Sequence, residues 1–363
     1  MIQELKVSTP GRVCLFGEHQ DYLNLPIIAC AISLRVHIEG NKRSDKIIDI
    51  KLPDINERET FSLDFPLKYG KERDYFKSAL NVLNRKGFTF SGGIDCSVKG
   101  EIPINAGTSS SSALIIAWVN FLAQMSDQAK QLNPEEIAYF AYEAEVLEFT
   151  EPGGIMDQYS TAIGGIIFLE SYPEVKVERI NANLGAFVLG DSGEPKDTKY
   201  ILARVKNQIQ DVSKELQKKH SEFSLQTIKA DDLDHYAQEL NHEQLLLLKG
   251  TIKNREITWR AKNLLTKSSL DRKEIGKLLT EHQNVLRDIL KISTPKIDRM
   301  IDSAIKAGAY GAKINGSGGG GCMFAYAPQN TEGVKRAIEK EGGKAYIIYA
   351  DKGTYSTILE VAV

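Results

Sequence analysis

An excess of either charge is missing from this chain. Over 363 residues, 46 lysines and arginines stand against 48 aspartates and glutamates, a net charge of −2. A sequence-independent nucleic-acid binder or a membrane-surface protein normally carries a basic excess, so neither nucleic acid nor membrane is an expected partner. Cysteine is scarce. Cys14, Cys30, Cys96 and Cys322 form no Cys-x-x-Cys pair, which disfavours a zinc or redox motif and favours reduced, buried thiols. The longest apolar run, Ala113 to Ala123, is interrupted by Asn120 and is too short for a bilayer. The first residues lack the basic-then-apolar order of a signal peptide, so a cytoplasmic location is expected. There is no Gly-x-x-x-x-Gly-Lys-Ser/Thr and no Gly-x-Ser-x-Gly, which removes the P-loop NTPases and the hydrolase nucleophile elbow. The six histidines, His235 and His242 among them, show no convincing metal-ligand spacing.

What is present is an ordinary globular composition, 42% hydrophobic and 26% charged. The length predicts two domains. Val13 to Phe16, Ile27 to Ile38 and Ile94 to Val98 read as strands. Asp74 to Lys86 has helical spacing, and Asn133-Pro134-Glu135-Glu136 opens a helix expected to run to about Phe149. After residue 195 amphipathic helices dominate, at about 198–219, 231–248, 251–266 and 273–290, with another starting at Thr294-Pro295. Strands return at Gly311 to Asn315, Cys322 to Ala327, Ala345 to Tyr349 and Thr357 to Val361. The shift in texture predicts domains at 1–190 and 191–363 in an α/β (α+β) chain.

Four segments carry candidate chemistry. Pro103 to Ala113 places Gly107, Thr108, Ser109, Ser110, Ser111 and Ser112 ahead of an apolar helix. Small residues at a helix start expose backbone N–H groups in the positive end of the helix dipole, which suits phosphate; an ordinary serine-rich cap is the alternative. Asn315-Gly316-Ser317-Gly318-Gly319-Gly320-Gly321 contains the dinucleotide glycine pattern, but a strand follows it where that motif needs a helix. It reads instead as a strand–glycine turn–strand able to approach a ligand or another loop. Gly17-Glu18-His19-Gln20-Asp21-Tyr22 concentrates polar side chains at a strand end, as a solvated turn or a site. Asp157, just beyond Gly153-Gly154, is either a helix-capping carboxylate or a catalytic base. Residues 249–273 hold eight basic residues, which reads as a solvated helix face before a nucleic-acid face.

Together, in this order, these segments resemble the GHMP kinases. The resemblance rests on Pro10-Gly11-Arg12-Val13-Cys14-Leu15-Phe16-Gly17-Glu18-His19, on the serine loop 103–113, and on Lys313 to Gly321. Gly-Glu-His-x-Asp-Tyr at residues 17–22 and Ile155-Met156-Asp157-Gln158 are similar to galactokinases. Gly190-Asp191-Ser192-Gly193 and Gly311-Ala312-Lys313 are closer to mevalonate kinases. Galactokinases follow Asp-Tyr with Asn-Gly-Gly; this chain has Leu23-Asn24-Leu25. The resemblance implies a mixed-sheet N-terminal domain, a ferredoxin-like C-terminal domain, and a cleft where ATP and Mg²⁺ phosphorylate a sugar hydroxyl, by galactokinase analogy the anomeric one. It implies Asp157 as base with Arg12 beside it, and Glu18, His19, Asp21, Gly154 and Tyr200 toward the sugar. Gly107 to Ser112, Tyr75, Gly318 and Gly319 are implied to hold the nucleotide, and Ser111 with Glu145 the metal. Glu143 and Glu148 compete with Glu145, which lies twelve residues before Asp157. The alternatives are a mevalonate-type kinase and a catalytically silent sugar and nucleotide sensor on the same fold.

Overall fold

The structure is a computed structural model that describes residues 2–104, 106–195 and 198–361, without the side chains of 198–200, 202, 203 and 361. Its first sheet is built from β1 (Ile2–Phe16), β2 (Ile27–Lys42), β3 (Ile47–Leu52), β4 (Glu57–Ser62), β5 (Ile94–Gly100), β6 (Ile166–Glu170) and β7 (Lys176–Ile180). The second holds β8 (Phe187–Asp191), β9 (Gly311–Ile314), β10 (Cys322–Tyr326) and β11 (Lys344–Ile348), before β12 (Tyr355–Val361) ends the chain's strands. The α-helices are α1 (Tyr75–Arg85), α2 (Ser110–Met125), α3 (Pro134–Tyr142), α4 (Met156–Ile163), α5 (Thr198–Lys219), α6 (His242–Leu265), α7 (Arg272–Asn284), α8 (Pro295–Lys306) and α9 (Thr331–Lys340).

The first sheet runs β12-β1-β2-β5-β3-β4, with β6 also on β2 and β7 on β6. Only β3–β5 is parallel among its described pairs. Helix α2 is apolar almost all round, as a helix sealed inside a domain must be. Ala113, Ile115, Ile116, Ala117, Trp118 and Phe121 are all fully buried, and α2 packs on β1 and β2. The indole of Trp118 donates to the Phe76 carbonyl at 3.0 Å, satisfying its one donor. The second sheet runs β11-β8-β10-β9, antiparallel throughout. With helices inserted between β8 and β9 and between β10 and β11, that order is ferredoxin-like.

Two expectations change. A cut at residue 190 passes through β8, and β12 returns to pair with β1, so the two sheets are not consecutive halves of the chain. The return is locked at Gly164, where φ is +78° and any Cβ would lie 1.8 Å from the Gly353 nitrogen. The helices expected at 231–248 and 251–266 are instead a short 3₁₀ segment, Ala230–Glu239, followed by α6, which continues through Gly250. Gly250 is a packing residue, since a Cβ there would meet Ile289 at 2.7 Å. The β3–β4 hairpin, β7 and the eight-residue α4 were not among the elements expected from the sequence, although Ile48-Asp49-Ile50-Lys51-Leu52 alternates as a strand does.

The basic run at 249–273 is not a bare cationic face. Lys249, Lys253, Arg260 and Lys262 pair with Asp234, Glu281, Glu281 and Glu178, and Arg255 is buried against the Leu225 and Ile228 carbonyls. Among the described residues no helix is long and apolar enough to cross a membrane, and all four cysteines are buried.

Candidate active site

Three distant loops meet at the end of β1. The β1–β2 register slips between Pro10 and Arg12, and a bulge of this kind re-aims the following side chain. Gly11 lets the serine loop close in, because a Cβ there would lie 2.8 Å from the Thr108 carbonyl, and that carbonyl accepts the Arg12 N–H at 3.2 Å. Asn315 bridges the glycine turn to both neighbours: its Oδ1 accepts from the Cys14 N–H at 2.9 Å and its Nδ2 donates to the Gly107 carbonyl at 2.7 Å. Cys322 N–H donates to the Ala106 carbonyl at 2.7 Å. Gly316, at φ +83°, has no room for a Cβ, which would sit 2.9 Å from the Gly107 carbonyl.

Glu18 and His19 turn inward to this junction. The Glu18 carboxylate accepts from Lys313 Nζ at 2.5 Å and from the Gly316 N–H at 2.6 Å. Lys313 is fully buried and also donates to the Cys14 carbonyl at 2.9 Å. His19 Nε2 lies 3.0 Å from the Ser317 carbonyl and Nδ1 lies 2.7 Å from the Tyr22 hydroxyl. A carbonyl only accepts, so Nε2 carries the proton and Nδ1 accepts from Tyr22. Burial pushes the His19 pKa down to about 4, which keeps the ring neutral. Glu18 and His19, both expected toward the substrate, do line the cleft; their polar atoms bond to Lys313, the Gly316 N–H, the Ser317 carbonyl and Tyr22.

Asp157 sits in the first turn of α4. Arg12, 4% exposed, sends Nε and Nη2 to the same oxygen, Asp157 Oδ1, at 2.9 and 2.7 Å, and Nη1 to the Gly107 carbonyl at 2.5 Å. Asp157 remains 31% exposed and lines the cleft. Asp21 lies alongside. Its oxygens accept from the N–H groups of Tyr22 at 2.9 Å and Met156 at 3.3 Å. Burial first, and then the charge of Asp157, raise the Asp21 pKa to about 6. Gly154 makes this approach possible, since a Cβ on it would fall 2.1 Å from Asp21 Oδ2.

Across the cleft stands the serine loop. Ser109 precedes α2 with φ +59°, and no side chain caps the helix start. The hydroxyls of Thr108 and Ser109 are buried and unpartnered. Facing them, α3 gives way to a π-helical turn, Glu143–Leu147, a local widening often found at functional sites. It separates the three competing glutamates. Glu143 pairs with Lys86 at 2.9 Å and Glu148 with Arg85 at 2.5 Å. Glu145 is buried, lines the cleft with Ser111 and Ser112, and accepts from Gln158 Nε2 at 2.7 Å. Burial raises its pKa.

Residues 74–165 match the pattern of the GHMP kinases N terminal domain and residues 262–344 that of the GHMP kinases C terminal; residues 3–42 match the galactokinase galactose-binding signature. The mevalonate kinase of Pyrococcus furiosus is 30% identical over 356 residues, covering 94% of each chain. The chain belongs to the GHMP kinase family. It is similar too to the galactokinase of Haemophilus influenzae, at 28% identity over 93% of this chain and 89% of that one. In fold it resembles Lactococcus lactis galactokinase solved with galactose, at TM-score 0.85 and 22% identity over 98% and 95% of the two chains. Methanococcus jannaschii mevalonate kinase follows at TM-score 0.73 and 21% identity over 96% and 98%. As a member of this family the protein is a phosphotransferase acting on an alcohol group.

A GHMP kinase uses ATP, and the residues present fit its phosphates: an uncapped helix start and buried hydroxyls without protein partners are donors in need of an anion. Ser111 beside Glu145 offers the hard oxygen donors that suit Mg²⁺, which takes one or two carboxylates and completes its shell with phosphate and water. Tyr75 opens α1 at the cleft wall, edge-on to Phe149 at 5.8 Å. Gly318 and Gly319 depart from expectation. Both pack away from the lining, Gly318 against Ile292 and Gly319 with its N–H on the Ile292 carbonyl at 2.7 Å and its α-carbon face on Ile201. The Tyr200 side chain lies outside the described residues. Sequence reasoning gave no role to Lys313, Asn315, Gln158 or Arg73, although a lysine inside the buried strand Gly311–Ile314 was a readable signal.

His19 makes the junction acid-sensitive. Its folded pKa is depressed, so its contribution to stability is present above the unfolded value near 6.5 and lost as pH falls toward about 4. Thermal melting across that interval should fall more steeply in the native protein than in His19→Asn, a variant that tolerates the left-handed φ of +62° at this position. Parallel pH profiles for the two would contradict this account.

Proposed function

We propose that the protein transfers the γ-phosphoryl group of ATP to a hydroxyl of a neutral sugar, the anomeric one. Phosphoryl transfer asks a protein mainly for positioning and charge stabilisation. The N–H groups and hydroxyls of Gly107 to Ser112 hold the phosphate chain, with Ser111 and Glu145 as the magnesium ligands; when bound, the ion supplies charge neutralisation at the phosphates. Asp157 takes the proton of the attacking hydroxyl. Arg12 holds the carboxylate in place through Oδ1 and offsets negative charge that builds up beside it.

The observation that carries the sugar reading is Asp21, a carboxylate beside Asp157 at the acceptor end of the cleft. Hydroxyl donors bind such a group by charge-assisted hydrogen bonds. An anionic acceptor meets two carboxylates in a partly desolvated space and is repelled. The galactose-binding signature over residues 3–42 and the closer structural likeness to the galactokinase than to the M. jannaschii mevalonate kinase point the same way. The 30% identity to the P. furiosus enzyme favours a second reading, mevalonate as acceptor.

Asp157→Asn preserves shape and removes the proton acceptor. Turnover should drop by about two to four orders of magnitude, the usual contribution of a general base, with MgADP affinity unchanged; full turnover in this variant would remove Asp157 from the base role. The acceptor is tested by screening neutral hexoses, pentoses and mevalonate for ATP consumption. A neutral sugar should react, and its KM should rise as pH falls through about 6, where Asp21 gains a proton. Asp21→Asn should flatten that profile. Mevalonate phosphorylation with a pH-independent KM would overturn the sugar assignment while leaving the kinase standing.

A further inference from the structure

Charges lining the cleft do not balance. The carboxylates are Glu18, Asp21, Glu145, Glu151 and Asp157; the guanidiniums are Arg12 and Arg73. Glu18 is neutralised by Lys313 and His19 is uncharged. Arg12 is committed to Asp157 and the Gly107 carbonyl. A nucleotide triphosphate entering beside Glu145 and Glu151 therefore needs cationic help beyond the metal, and among the described lining residues Arg73 is the cation not bonded at the acceptor end.

Arg73 is aimed by its turn. Its φ is +56°, a strained value for a residue with a side chain. Buried Asp74 fixes that turn by accepting from the Gly70 N–H and Lys77 Nζ, both at 3.0 Å. The turn sets Arg73 on the cleft wall just before Tyr75, and the charge of Glu145 reaches it there. Its Nε and Nη2 form a two-pronged fork with Glu151 at 2.8 and 2.7 Å, with Arg73 37% exposed and Glu151 11%. Glu151 lies in the short segment between the π turn and α4. A planar guanidinium held in a carboxylate fork presents the geometry that a phosphate also takes.

We propose that Arg73 is a nucleotide-binding residue, kept aligned by Glu151 and transferred to a phosphate oxygen of the nucleotide when it enters. Glu151 is then both the splint and the competitor. The inference rests on the kinase reading of the cleft and goes beyond it by naming a donor-side cation outside the serine loop.

The test is calorimetric titration with MgADP, together with KM for ATP and for the acceptor, in the full-length protein. Arg73→Gln should weaken MgADP binding by about tenfold to a hundredfold, the effect of one hydrogen bond to a charged group, and raise KM for ATP while leaving the acceptor KM alone. Glu151→Gln keeps the shape but removes the competing charge, so MgADP should bind about twofold to fivefold more tightly. Wild-type affinity in Arg73→Gln would overturn the inference. So would a loss in Glu151→Gln equal to that in Arg73→Gln, because the pair would then be a structural strut. If Arg73→Gln does not fold, Arg73→Lys replaces it: charge kept and fork lost should give an intermediate weakening, and unchanged affinity overturns the proposal. Failure of the unaltered protein to bind MgADP would overturn the kinase reading itself, whereas binding there with an indifferent Arg73 variant overturns this inference alone.

Discussion

The buried pair between Lys313 and Glu18 is the constraint on which the site depends. Both side chains are sealed from water, at 0% and 2% exposure, and two such charges are expensive to desolvate. They persist because their remaining valences are met: Lys313 also donates to Cys14, and Glu18 also accepts from Gly316. Removing one partner leaves an uncompensated buried charge, a loss of about 3–5 kcal/mol in comparable pairs. What the pair contributes beyond stability is register. It fixes the turn after β9 against the end of β1, and Asn315 and the Gly107 carbonyl extend that fixing to the serine loop.

Register at this junction places the chemistry. The Gly107 carbonyl accepts from both Arg12 and Asn315, so the serine loop, the guanidinium and the glycine turn share one atom as a reference point. Arg12 in turn orients Asp157, and Gly154 admits Asp21 beside it. The two ends of the cleft are chemically distinct. One offers hydroxyls and an open helix start to an anion; the other offers carboxylates to hydroxyl donors. A kinase must bring a polyanion and an alcohol together, and such polarity separates the two ends.

The loops were legible because each breaks a rule of its surroundings. Polar side chains crowd the end of an apolar strand at 17–22, serines interrupt the approach to α2, and glycines accumulate between two strands. Residue direction was not legible. Glu18 and His19 have the right types to grip a sugar, but their partners Lys313 and Ser317 lie 295 and 298 residues away, and no local pattern reveals such a contact. Of Glu143, Glu145 and Glu148, only Glu145 lines the cleft, at the π turn, whose wider winding leaves no trace in composition. Gly250 and Gly318 were ambiguous for a related reason: a glycine reads the same whether it frees the backbone or makes room for a neighbour such as Ile289 or Ile292.

The most direct test of this account is a double-mutant cycle on the buried pair, with Glu18→Gln, Lys313→Met and the combined variant unfolded by denaturant. If the pair holds the junction, each single variant loses several kcal/mol, about 3–5 by comparison with other buried pairs, and the combined variant is more stable than Lys313→Met alone because the second change removes the stranded charge. Losses that simply add would contradict the account, since the two side chains would then act independently and the three loops would be held by something else.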